Sequence, residues 1–247
     1  MDQLDEILNW LEEYKAQTAC RGVVLGISGG KDSTVVAMLA KKVWGENVVG
    51  VLMPDGEQSD LSDAMEVVKT VNIESRLVNI GGVTSAIDSA LLGSINGEPK
   101  VRTNIPPRVR MTVLYAIAQS LGYRVIGTGN ASEAFIGWTT KWGDSAYDLN
   151  PIYHLTCAEV VKVGKILAKE FGLDERLVDK SPADGLTGRS DEDNFGFTYQ
   201  QLENVMKWGG MDVPQDVLQQ ICSMHTYSEH KRRMPPVIYR QFPRGGD

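Results

Sequence analysis

Between residues 22 and 129 the apolar positions fall in short unbroken runs, separated by longer stretches whose apolar residues return at helical intervals. "GVVLGI" (22–27), "NVVGVLM" (47–53), "SRLVNI" (75–80) and "YRVIGTG" (123–129) predict four short strands. Ser33 to Val43, "SDLSDAMEVVKTV" (59–71), a segment near 83–92 and "PPRVRMTVLYAIAQSLG" (106–122) predict the helices between them, the last with prolines where its first turn belongs. An amphipathic helix over 3–18, with Leu4, Ile7, Leu8 and Leu11 on one side, precedes the first strand. Strands alternating with helices predict an α/β fold: an open parallel sheet flanked by helices on both faces.

The last third changes character. Thr156 and Glu159 have capping-box spacing at the head of a helix over 156–172, and Thr198 and Gln201 repeat it at another. "DKSPADGLTGRSDEDNFG" (179–196), rich in Gly, Asp, Ser and Pro, reads as a loop, and a final helix covers 214–230. Nothing between these segments has the composition of a linker.

The candidate chemistry starts at the end of the first strand, in "SGGKDS" (28–33). In an open parallel sheet, ligands bind beyond the carboxyl ends of the strands. The following helix aims its free N–H groups and positive dipole end at this loop. Glycines allow close backbone approach, and Ser28 and Ser33 add hydroxyls. Together these features predict a phosphate cradle. Asp32 would repel phosphates unless a divalent cation is shared between them.

Three other loops compete. The P-loop pattern fails because Gly30-Lys31 is followed by Asp32, and G-x-G-x-x-G fails because Ser28 takes the second glycine's place. Gly26-Ile27-Ser28-Gly29-Gly30 does satisfy the nucleophile-elbow pattern. That elbow follows several strands in its own fold and needs a histidine partner; here it follows the first strand, and only His154, His225 and His230 exist.

Composition narrows the classes. The net charge of -7 argues against binding nucleic acid through the overall field. Cys20, Cys157 and Cys222 are too scattered for a metal site or a disulfide framework, so a reducing, cytoplasmic location is expected. No apolar run has the length of a membrane span, and the acidic N-terminus is unlike a secretory signal.

The loop resembles the S-G-G-x-D-S loop of the ATP-pyrophosphatase superfamily. With "NIPPRVRM" (104–111), "GTGNASEAFIGWTTKWGDSAYDLNPI" (127–152), "DEDNFGFTY" (191–199) and "HKRRMPP" (230–236) following in order, the chain resembles the ammonia-dependent NAD synthetases. The resemblance implies an adenine-nucleotide α-hydrolase-like, Rossmann-like fold. It further implies one synthetase domain over 1–247, made of an N-terminal helix (1–20), an α/β core (21–155) and a C-terminal helical part (156–247). The implied reaction amidates nicotinic acid adenine dinucleotide (deamido-NAD) with ammonia, using ATP and magnesium and passing through an acyl adenylate.

Position by position, the resemblance implies ATP contacts from Gly26, Ile27, Ser28, Gly29, Gly30, Lys31, Asp32, Ser33 and Thr128. It implies magnesium ligation by Asp32 and Glu133, and catalytic roles for Ser28, Asp32 and Lys180. Arg108, Lys141, Asp148, His230 and Lys231 match positions that contact deamido-NAD, while Trp138 and Trp142 offer stacking surfaces. Cys157 and Ala183 also fall at ATP-contact positions, but they depart from the pattern: Cys157 stands where relatives have a lysine, and Ala183 where many have a hydroxyl. The missing charge would then be met elsewhere, by Lys162 or Lys180, or ATP would bind more weakly. A homodimer is implied as well. Only about twenty residues precede the first strand, so free ammonia rather than glutamine is the expected nitrogen donor.

Overall fold

The computed structural model describes residues 3–56, 61–94, 102–180 and 190–238. Four strands, β1 (Val23–Gly26), β2 (Val48–Leu52), β3 (Glu74–Leu77) and β4 (Arg124–Val125), form one sheet in the order β3-β2-β1-β4. Every pairing in it is parallel. The chain steps one way from β1 to β3 and then returns to β1's other edge. The strand order therefore reverses between β1 and β4, which is where an open sheet leaves a crevice.

Both faces are covered. Val23 and Leu25 face a core shared with α1 (Gln3–Thr18), α2 (Lys31–Trp44), α3 (Leu61–Val71) and α7 (Cys157–Phe171). Val24, Val49, Val51 and Val125 face a second core with α4 (Gly81–Ala90) and α5 (Ile105–Leu121). The alternation follows from the two-residue period of a strand. Beyond the sheet, α6 (Ala131–Ile136), α8 (Asp191–Phe195), α9 (Tyr199–Trp208) and α10 (Gln215–Tyr227) enclose a third apolar cluster around Ile136, Phe195, Leu202 and Ile221, and the short α11 (Glu229–Arg232) follows α10.

Thr156–Glu159 and Thr198–Gln201 both form the expected reciprocal caps. Three expectations are corrected. The fourth strand pairs over only two residues, because the chain beyond it turns to a new neighbour: Gly127 N–H donates to Leu149 O at 2.8 Å. The polar stretch at 190–195 is a helix rather than loop. Its Ser190 accepts the Asp193 N–H, and its acidic first turn suits the helix dipole, so the same residues that suggested a loop are good helix starters. The last helix is broken at Ser228, whose hydroxyl donates to Met224 O at 2.7 Å, and α11 resumes from there.

Candidate active site

The loop after β1 is built from its own short side chains. Ile27 still pairs with β2, donating to Val51 O at 3.0 Å. Gly29 then takes a φ of 80°, which glycine adopts without strain. Ser28 N–H donates to Ser33 Oγ at 3.3 Å, Gly30 N–H donates to Ser28 Oγ at 3.2 Å, and the two hydroxyls lie 3.0 Å apart. Thr34 Oγ1 donates to Gly30 O at 2.8 Å. Gly30 is the N-cap of α2 and supplies no side-chain cap, so the first-turn N–H groups remain for an anion.

Across the crevice, the segment after β4 carries Thr128, which is half-buried, and then the N-terminus of α6. Asn130 caps α6: its side chain accepts the Glu133 N–H, and Glu133 returns a carboxylate to the Asn130 N–H. The fully buried Asn130 also donates from Nδ2 to Asp32 Oδ1 at 3.1 Å. One asparagine thus ties the two candidate metal ligands together across the sheet's switch point. Asp32 Oδ2 lies 2.6 Å from Lys31 Nζ.

The electrostatics of this cluster are strongly coupled. Burial pushes Glu133 up to about 8, the Asp32 charge adds to that, and Lys31 opposes it. Burial alone would depress the Lys31 ammonium, but Asp32 and Glu133 outweigh it and hold the group above its ordinary range. Cys157, buried at the start of α7, is pushed up to about 12, chiefly by burial, so it remains a thiol at neutral pH.

Among the described residues no group of three or more His, Cys, Asp or Glu forms a metal cage. Two carboxylates with phosphates completing the shell is nevertheless the usual donor set for magnesium. The acidic pair beside a free helix N-terminus fits that description.

The second set of expected residues gathers near the loop after α6. Arg108 Nε donates to Lys141 O at 3.3 Å, and Lys141 Nζ donates to His230 O at 2.8 Å. Lys231 Nζ donates to Gly137 O at 2.8 Å and Thr139 O at 2.6 Å. Asp148 is not in contact with this group; its Oδ2 accepts the Val125 N–H at 2.8 Å beside the sheet edge. Lys180 lies 3.0 Å from Asp63 on α3, and Lys162 is exposed on α7. Trp142 is half-exposed, with Lys141 Nζ 5.5 Å from its ring centroid. Trp138 instead donates to Asp191 at 3.2 Å and meets Phe195 edge-on. Ala183 lies outside the described residues.

Two participants escaped the sequence reading. Asn130 had a signal, since Asn130-Ala-Ser-Glu133 is a capping-box pattern. Asp191, which is buried and accepts from Trp138 and from Tyr199 OH at 2.9 Å, opens the "DEDNFGFTY" motif, which by itself assigned it no role.

The NAD synthase family model matches residues 3–235. An NH(3)-dependent NAD(+) synthetase from Carboxydothermus hydrogenoformans is 37% identical over 96% of this chain and 96% of its own. Among solved structures, NMN synthetase from Francisella tularensis superposes with a TM-score of 0.86 at 33% identity, covering 96% of this chain and 97% of its own. NH3-dependent NAD synthetase from Campylobacter jejuni superposes with a TM-score of 0.77 at 27% identity, over 97% and 100%. With a Ser- and Gly-rich loop and an acidic pair meeting at the switch point, and a family match along nearly its whole length, this chain belongs to the NAD synthase family.

Proposed function

We propose that this protein is a ligase that amidates deamido-NAD with ammonia at the expense of ATP. The observation that carries the reading is the meeting of Asp32 and Glu133, through Asn130, beside the uncapped N-terminus of α2. A pyridine carboxylate is a poor acyl donor, because its leaving group would be oxide. Its oxygen attacks the α-phosphorus of ATP, the bond to the bridging oxygen breaks, and pyrophosphate leaves with the electron pair. Ammonia then adds to the acyl carbon and AMP departs.

The residues divide this work. The first-turn N–H groups of α2 and the Ser28 hydroxyl hold the departing pyrophosphate, and Thr128 lines the opposite wall. Asp32 and Glu133 would hold magnesium, which neutralises polyphosphate charge when bound. Arg108, Lys141, Trp142 and His230 receive the dinucleotide. Lys231 sets the loop they sit on, and Asp148 meets the dinucleotide only if a second copy brings the sheet edge to it. Lys180 approaches the phosphates from the α3 side. The whole chain acts as one synthetase unit, a homodimer in the cytoplasm; the full-length family match supports the first of these.

A second acceptor is favoured by one observation, the likeness to the Francisella NMN synthetase. Nicotinic acid mononucleotide carries the same carboxylate and lacks only the adenylyl half, so the chemistry is unchanged. The test is steady-state amide formation from each acid with ATP, magnesium and ammonium. Preference for deamido-NAD supports the main reading, and preference for the mononucleotide supports the second. No amide from either acid overturns both. Glutamine in place of ammonium is expected to give no product.

A further inference from the structure

α6 carries both Asn130 at its cap and Glu133 in its first turn, and it has only six residues. A helix of that length is not stable on its own, so its place is set by what grips it. Its amino end is tied to α2 through Asn130 and Asp32, and to α7, where the Cys157 N–H donates to Ser132 Oγ at 3.0 Å. Its carboxyl end is gripped from the C-terminal helices. Arg232, the last residue of α11, donates from Nη1 to Ala134 O and Phe135 O at 3.0 Å each, and to Ser228 Oγ at 2.7 Å. Nη2 donates to His225 O in the last turn of α10 and to Glu229 Oε2 at 2.8 Å. His225 adds a stacked contact with Phe135, the ring centroids 4.1 Å apart.

Three features make Arg232 more than a surface charge. Its side chain is only 16% exposed, so water competes weakly for these bonds. A cation at the carboxyl end of α6 suits that helix's dipole. The planar guanidinium reaches α6 and α10 at the same time, which fixes one geometry between them. The carbonyls it holds on α6 belong to the two residues directly after Glu133.

Resting on the function proposed above, we propose that Arg232 is a positioning residue for the magnesium site: by seating the carboxyl end of α6 on α10, it fixes where Glu133 presents its carboxylate opposite Asp32. Arg232 touches neither substrate nor metal and moves no proton. Groups that orient a metal ligand from behind are felt in the affinity for the metal. The resemblance assigns the neighbouring His230 and Lys231 to the dinucleotide; Arg232 instead serves the phosphate half, from the far end of the chain.

The experiment measures calorimetric affinity for α,β-methylene-ATP, which cannot be cleaved at the reacting bond, with magnesium and with EDTA. Arg232→Met is expected to bind the analogue about tenfold more weakly with magnesium. With EDTA it is expected to stay within about twofold of wild type. On a Glu133→Gln background, Arg232→Met is expected to add little further loss, because both act through one carboxylate. Arg232→Lys keeps the charge without the fork and is expected to fall between wild type and Arg232→Met. Equal weakening with magnesium and with EDTA would mean a general loosening of the site and would overturn the proposal. So would wild-type affinity in magnesium, the full loss repeated on the Glu133→Gln background, or a wild type whose binding magnesium does not improve. If Arg232→Met does not fold, Arg232→Lys takes its place: a loss confined to magnesium supports the proposal, and no loss overturns it. No acceptor acid is present, so these results stand whether or not the wild type amidates deamido-NAD or the mononucleotide.

Discussion

The two halves of the site are held in opposite ways. Around β1 and α2, short side chains shape the loop, and the first-turn N–H groups of α2 carry no side-chain cap. Around Lys141 and the C-terminal helices, long cationic side chains reach backbone carbonyls instead. Lys231 spans Gly137 O and Thr139 O, and Arg232 Nη1 donates to Ala134 O and Phe135 O at 3.0 Å each. The first half ties its loop together with short side chains and leaves the start of α2 without a side-chain cap, which suits the anion proposed for it. The second has used many of its donors to fix a loop, so a cation there can matter through what it positions rather than what it touches.

The sharpest break of that contrast is Asp32→Ala. Loss of a carboxylate in the phosphate half is expected to lower magnesium-dependent pyrophosphate release roughly a hundredfold or more; it also leaves the buried Lys31 ammonium without its partner, so the melting temperature should fall as well. A near-normal rate would remove Asp32 from the metal site. In the other half, Gly137→Ala is expected to act through folding. Gly137 has a φ of 70°, and a Cβ there would collide with the Ser228 side chain beneath it. The left-handed backbone alone costs about 1–2 kcal/mol, so thermal unfolding should move down by several degrees. An unchanged transition would contradict the tight seating of α11 on that loop.

A smaller effect separates the halves by pH. Glu133 is raised from an ordinary 4.5 to about 8 in the folded chain, so between those values the unfolded state has released a proton that the native state keeps. Stability therefore falls as pH rises from about 4.5 to about 8 and then levels. Glu133→Gln is expected to flatten that slope in urea titrations; an unchanged slope would place the titration elsewhere. The smallest expected change is at the cap of α7. Thr156→Ala removes the acceptor for the Glu159 N–H and is expected to cost about 1 kcal/mol by denaturant midpoint, with the phosphate half unaffected.

The two halves also differed in how much of them could be read beforehand. Short unbroken apolar runs and the Ser-Gly-Gly-Lys-Asp-Ser loop were legible at the end of β1 because both rest on neighbouring residues. The capping boxes at Thr156 and Thr198 were legible for the same reason. The helix at 191–195 was not, since serine and aspartates serve loops and helix starts alike, and only the partner of Ser190 decides. The gathering of Arg108, Lys141, His230 and Lys231 depends on packing between segments that lie 33 to 94 residues apart. Family resemblance anticipated it, while periodicity had no access to it. Lys31 was visible as a loop residue, but its burial between two carboxylates depends on β4 bringing Asn130 and Glu133 across the crevice.

The most direct measurement is a crystal structure of the wild-type chain with α,β-methylene-ATP and magnesium. The β- and γ-phosphates are predicted to lie against the backbone of Gly30 to Ser33, with one metal ion between them and the Asp32 and Glu133 carboxylates. A triphosphate bound elsewhere, with those N–H groups and carboxylates untouched, would contradict the account.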